Sequence, residues 1–148
     1  MTDTIDQPAT PPIGDHVRSF LEAPNYASIA TLDPDGAPRQ AVVWYLFDGR
    51  DLIVNSLVGR RWPTNLQRDP RVSIAVVDRT DGLRWVGITG ASEPMIDQAR
   101  AQADIAAMAR RYNPDDPAKA EALIRDRFAA QERISFRVSI ETLHDHLA

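Results

Sequence analysis

The spacing of hydrophobic and polar residues changes several times along the chain, and each change marks an element. From Asp15 to Ala23, Val17, Phe20 and Leu21 fall on one helical face, which predicts a short helix capped by Asp15 and stopped by Pro24. Asn25 to Leu32 is short and rich in small and β-branched residues, as a strand would be. Asp33-Pro34-Asp35-Gly36 reads as a turn, with proline second and glycine fourth. Ala41 to Phe47 is a continuous apolar run, which predicts a strand buried on both faces. Asp48-Gly49 suits a hairpin, and Leu52 to Ser56 would be the returning strand. Pro63 is expected to open a helix of about two turns ending near Asp69-Pro70.

Beyond it, Val72, Ile74 and Val76 alternate within Arg71 to Asp78. Asp81-Gly82 turns the chain into a long strand, Leu83 to Glu93, in which Gly87 and Gly90 suggest a bend or bulge. Pro94 to Tyr112 reads as helix, with Ile105, Met108 and Tyr112 on one face. Asp116 and Pro117 begin a second helix that turns Leu123, Ile124 and Phe128 inward. The last strand alternates most clearly, through Ile134, Phe136, Val138 and Ile140. Antiparallel meanders with few helices predict a mainly β, α+β barrel and not a doubly wound sheet.

A length of 148 residues suits one domain, taken as residues 15–148 behind a flexible polar tail, 1–14. No apolar run reaches the ~18–20 residues of a membrane span, and the start lacks the pattern of a signal peptide. A cytoplasmic protein is therefore expected. There is no cysteine, which excludes disulfides, thiolate nucleophiles and cysteine-held metals. The formal charge of −4 argues against nucleic acid as a partner. Lys119 is the single lysine, so any anion site must be built from arginine, whose planar fork can grip phosphate.

Gly59-Arg60-Arg61-Trp62 is the first candidate for such a site, because it leads into a helix. A helix N-terminus exposes unpaired N–H groups and a partial positive charge, and arginines placed there oppose that dipole unless an anion joins them. The alternative is two solvated arginines pairing with Asp69 or glutamates elsewhere. Of the three tryptophans, Trp44 reads as packing in the core or at an interface, while Trp62 sits beside the arginines and leans towards a ligand. His144-Asp145-His146 lacks a third metal ligand in sequence and reads as surface, so no metal is expected. No nucleophile elbow, Walker loop or G-x-G-x-x-G fingerprint is present. A chain without an obvious acid, base or nucleophile suits chemistry carried by a cofactor.

Gly36–Tyr45 (GAPRQAVVWY), Leu52–Ile74 (LIVNSLVGRRWPTNLQRDPRVSI) and Asp81–Glu93 (DGLRWVGITGASE) together resemble the split β-barrel flavin-binding proteins of the pyridoxamine 5′-phosphate oxidase-like superfamily. The chain looks closest to the flavin/deazaflavin oxidoreductase branch, many of whose members use the deazaflavin coenzyme F420. The likeness runs from about Val17 to Leu143. It implies a six-stranded antiparallel split barrel of the FMN-binding type with flanking helices, and a homodimer with cofactor sites across its interface. The apolar run Ala41 to Phe47 fits such an interface.

The resemblance also implies roles. Gln40 would approach the isoalloxazine ring, and Ala41, Val42 and Val43 would offer backbone groups to its polar edge. Asn55 and Ser56 would lie beside the ribityl phosphate, Arg60 and Arg61 would hold the phosphate, and Trp85 would border the ring. Trp62 stands where many relatives carry lysine, and Arg60 would replace that charge from earlier in the turn; Arg39 and Arg68 are outer candidates for an acidic tail. The activity implied is an F420-dependent reductase passing a hydride to an unsaturated small organic substrate. The alternatives are an FMN enzyme of the same fold, or a protein that binds such a cofactor without turnover.

Overall fold

The structure, a computed structural model, describes residues 10–148. The expected tail falls outside it over residues 1–9. Just before the first helix, Ile13 already packs on the core. Helix α1 (Asp15–Glu22) buries Val17, Phe20 and Leu21, as their spacing requires. Its N-cap is Gly14, which offers no side chain, so Asp15 opens the first turn and does not cap it. Seven strands follow: β1 (Tyr26–Leu32), β2 (Pro38–Val43), β3 (Leu46–Phe47), β4 (Leu52–Leu57), β5 (Arg71–Val77), β6 (Trp85–Met95) and β7 (Arg133–His146). Helix α2 (Arg61–Arg68) joins β4 to β5. Helices α3 (Gln98–Arg111) and α4 (Pro117–Asp126), with a 3₁₀ turn at Phe128–Ala130, join β6 to β7.

All seven strands form one antiparallel sheet in the order β2-β1-β5-β6-β7-β4-β3. The two outermost strands, β2 and β3, are separated in sequence only by Trp44 and Tyr45. Three Cα steps, from Val43 to Leu46, span at most about 11 Å. The sheet must therefore curl until its edges nearly meet. This crossing splits the strand expected over Ala41 to Phe47 and raises the count from six to seven. At the break the Tyr45 N–H donates to the Tyr112 hydroxyl (3.3 Å), and the single proton of the Tyr45 hydroxyl is shared between the Leu21 and Ala23 carbonyls (2.9 and 3.0 Å).

Inside the curl lies the main core. Ile29, Leu52, Val54, Ile74, Val86, Ile88, Phe136, Val138 and Ile140 are all essentially inaccessible. The bulge between Thr89 and Gly90 keeps β6 in step with β7. Glycine is required there, since a Cβ at position 90 would stand 1.9 Å from the Ser139 carbonyl oxygen.

Strand β6 continues through Pro94 to Met95, so α3 starts at Gln98 with Asp97 as its cap, later than the apolar spacing alone suggests. Asp116 caps α4 through the Lys119 N–H, and Pro117 lies in its first turn, both as read from the sequence. The α3–α4 pair covers one outer face of the sheet with a second apolar cluster, which includes Ile53, Ile105, Met108 and Phe128.

The outer face of β2-β1-β5-β6 has no such cover among the described residues. Two cross-strand rows run over it, Val42–Ser28–Ala75–Gly87 and Gln40–Ala30–Ser73–Thr89. None of these residues is charged. Val42 is 79% exposed, so burial on both sides of the expected strand fails at this residue within a single chain.

Candidate functional site

A cleft of about 260 Å³ opens where the end of β2 meets the end of β4 and the α3–α4 cover. Its donors come from four places. Asn55 and Ser56 end β4, Arg60 sits in the turn before α2, Arg127 follows α4, and Arg133 begins β7. The turn depends on Gly59, whose φ of 99° suits glycine and strains any side chain. Val58 N–H donates to the Glu132 carbonyl (2.9 Å), tying this turn to the start of β7. Arg60 and Arg133 are thereby brought to one cleft. Its other walls are apolar and aromatic: Tyr26, Val42, Val43, Trp44, Met108 and Phe128. Trp44 lies parallel to Tyr112 (5.2 Å, 8°) and edge-on to Phe128 (6.4 Å, 87°).

Electrostatically the cleft is one-sided. Among the described residues, no aspartate or glutamate lines it. Among the described residues, Arg60, Arg127 and Arg133 form no salt bridge with a carboxylate. Arg133 is only 5% exposed. Burial, and then the nearby Arg60 and Arg127 charges, push its pKa down to about 10. An isolated buried cation is costly, and a bound anion would lift that cost. Ser56 Oγ is also buried and lacks a hydrogen-bond partner among the described residues. A buried hydroxyl without a partner costs about 1–3 kcal/mol, which a ligand oxygen would recover.

The structure gathers six of the sequence candidates at this cleft: Val42, Val43, Asn55, Ser56, Arg60 and Trp62. Trp62 contributes mainly to the core. It is 7% exposed and packs on Phe136 with ring centroids 6.0 Å apart. Trp44, expected to be packing, does pack on the second apolar cluster and also lines the cleft.

The other four candidates lie elsewhere. Gln40 faces outward in one of the uncharged rows of the sheet, and Ala41 packs on the core. Arg61 lies over a separate groove, 3.8 Å from Asp33. Helix α2 begins at Arg61, two residues before Pro63, so Arg60 is its N-cap and the two arginines diverge. Trp85 stacks on His146 (4.0 Å, 8°), outside the cleft. The outer candidates are internally engaged. Arg39 donates to Asp33 (2.5 Å), and Arg68 donates to Asn65 and the Leu32 carbonyl. Hydrogen bonds from Arg39 and then Asn65 hold the Asp33 carboxyl below its usual range.

Among the described residues, no group of three or more His, Cys, Asp or Glu side chains is arranged to hold a metal ion. His16 pairs with Asp145. Arg127 and Arg133 are not among the sequence candidates. The signal available for Arg133 was its place one residue before the clearest alternating run.

A curled antiparallel sheet with an arginine-lined, aromatic-walled cleft at its seam defines a small split-barrel protein suited to an anionic ring ligand. Residues 13–145 match the pyridoxamine 5′-phosphate oxidase family, and the chain belongs to it. Similar solved structures include one described as an F420 reductase (TM-score 0.69, 24% identity, covering 89% of this chain and 98% of that one). Another is a conserved hypothetical protein from Mycobacterium tuberculosis (TM-score 0.69, 21% identity, 95% and 89%). A third is the heme storage protein HutZ from Vibrio cholerae (TM-score 0.65, 20% identity, 88% and 92%). At these identities the likeness is one of fold.

Proposed function

We propose that this protein is an F420-dependent reductase acting on an unsaturated small organic substrate, and that the cleft at the seam holds the coenzyme. The observation that carries this reading is the pairing of an aromatic wall with three arginines that have no carboxylate partner among the described residues. The donor set fits a phosphate-bearing ring cofactor. It offers guanidinium groups and an unpartnered buried hydroxyl to anionic oxygens, and flat apolar surface to a ring. When bound, the deazaflavin would supply the hydride.

The chain's own residues bind and orient. Arg60, Arg127 and Arg133 hold the anionic tail, Ser56 adds a hydroxyl to it, and Trp44 and Val43 position the ring. FMN is the second reading, favoured by the single compact cluster of arginines, which one phosphate would satisfy. Haem is disfavoured, because the three histidines, His16, His144 and His146, all lie outside the cleft.

A second copy of the chain is proposed to pack on the two uncharged rows of the outer face of β2-β1-β5-β6, beside Arg71. Val42 belongs both to that face and to the cleft, so the partner would cover the ring and bring Gln40 and Trp85 beside the site. A titration followed by cofactor absorbance and fluorescence tests the reading. F420 should bind, and its reduced form should be consumed with an enone acceptor. FMN binding without F420 binding would move the assignment to the second reading. Binding of haem alone would overturn both.

A further inference from the structure

A buried chain of hydrogen bonds leads away from the cleft behind Arg133. Arg133 Nε donates to Asn55 Oδ1 (3.0 Å), and its Nη1 donates to Gln131 Oε1 (2.7 Å). Nη2 has no partner among the described residues. Asn55 Nδ2 donates to the Ala101 carbonyl (2.9 Å) and to Ser135 Oγ (2.9 Å). Ser135 Oγ donates in turn to Asp104 Oδ2 (2.7 Å), and Arg100 Nε holds Asp104 from the outer side (3.0 Å). Ser135 is fully buried, Asn55 is 7% exposed and Asp104 is 6% exposed.

The direction of this chain is fixed by chemistry. An ionised carboxylate only accepts, so the single hydroxyl proton of Ser135 goes to Asp104. The serine oxygen is left to accept, and only the NH₂ end of Asn55 can meet it. With both amide protons placed, Asn55 must turn its carbonyl oxygen to Arg133. A flipped amide would set a donor against the Arg133 Nε–H. The guanidinium is thus held by Nε and Nη1, and Nη2 is left for a ligand in the cleft that Arg133 lines.

We infer that Asp104 and Ser135 are positioning residues for the anion cleft: they hold Asn55 in the one amide orientation that aims Arg133 at the ligand's phosphate. The inference rests on the proposed reading of the cleft as an anionic-cofactor site. Neither residue touches the ligand. Both act through Asn55 on one cation, so their effect falls on the charged tail and leaves the ring contacts unchanged.

Two readouts test this on the whole protein. The first compares binding of FMN with riboflavin, and of F420 with its tail-less deazariboflavin chromophore. In Ser135→Ala the preference for the tailed ligand should fall roughly tenfold, the loss expected for one charge-assisted bond. Affinity for the tail-less ligand should stay within about twofold. Ser135→Thr, which keeps the hydroxyl, should restore the preference. Asp104→Asn, which keeps the shape but can donate, should reduce it in part.

The second readout needs no cofactor. The Arg133 Nε–H resonance should exchange slowly with solvent in the wild type and in Ser135→Thr, and faster in Ser135→Ala. An unchanged preference together with unchanged exchange in Ser135→Ala would overturn the inference. Equal losses of tailed and tail-less ligands would assign the network to packing alone and overturn it too. Wild-type protein that binds neither cofactor pair would sink the functional reading, while the Nε–H exchange would still decide the network.

Discussion

Arg133 shows how a residue of the proposed site can escape a reading of the sequence. It stands one position before Ile134, in the register that alternation assigns to the outer face, where an arginine ordinarily meets water. Here α3 lies over that face, so Arg133 and Ser135 are buried although their register says otherwise. That cover comes from a different part of the chain, and local periodicity does not report it. Trp62 is the opposite case. Its spacing from Leu66 is one helical turn, and both are buried, so the core role was readable from the i, i+4 pair. Arg133→Gln should weaken FMN or F420 binding by roughly ten- to a hundredfold, as loss of a charge-assisted bond of about 1.5–3 kcal/mol implies. Arg61→Gln, on the neighbouring residue, should change it less than about threefold, well under the loss of one such bond. An equilibrium titration of the two variants compares them directly.

The elements themselves were largely legible, because their spacing, turns and caps are local. Strands β1, β5 and β7 and helix α4 begin within a residue or so of where the pattern puts them. The departures arise where tertiary structure takes over. The run Ala41 to Phe47 breaks because the chain must pass from one edge of the sheet to the other. Strand β6 runs through Pro94 because β7 remains paired beside it as far as Met95.

The hairpin of β3 and β4 also has a testable electrostatic anchor. Asp48 accepts the Arg50 and Asp51 N–H groups (3.0 and 2.8 Å) and the Arg137 guanidinium (2.7 Å). Partial burial raises the Asp48 pKa, but the hydrogen bonds from Asp51 and Arg137 outweigh it and leave the pKa lowered. A carboxylate lowered on folding stabilises the fold above its unfolded value of about 3.9, and that contribution is lost as pH falls through the lower folded value. Thermal unfolding followed from pH 6 into acid should therefore show a shallower loss of stability in Asp48→Asn than in the wild type. Parallel curves would show that this anchor does not contribute.

At the level of the whole molecule, the antiparallel curl and the family were readable from the order of elements together with three matching stretches. The location of the proposed anion site was half readable: the turn at Gly59-Arg60 is legible, but Arg127 and Arg133 arrive from the far end of the chain. Among the described residues, no helix is long and apolar enough to cross a membrane. The two uncharged rows on the outer face of β2-β1-β5-β6, bordered by Arg71, predict self-association. Ala75 lies in the middle of one of these rows, so Ala75→Arg should place a charge at the centre of that interface. Light scattering after size exclusion should give a dimer for the wild type and a monomer for the variant, with weaker cofactor binding in the monomer. A wild-type monomer would refute the proposed interface.

The central claim concerns where an anionic cofactor's phosphate lies, and a crystal structure with F420 or FMN bound tests it most directly. A phosphate oxygen should lie within hydrogen-bonding distance of Arg60 and of Arg133 Nη2, with Ser56 Oγ satisfied and the ring against Trp44. A phosphate lodged instead in the groove of Arg61 and Arg68, with the cleft at the β2–β4 seam left to water, would contradict it.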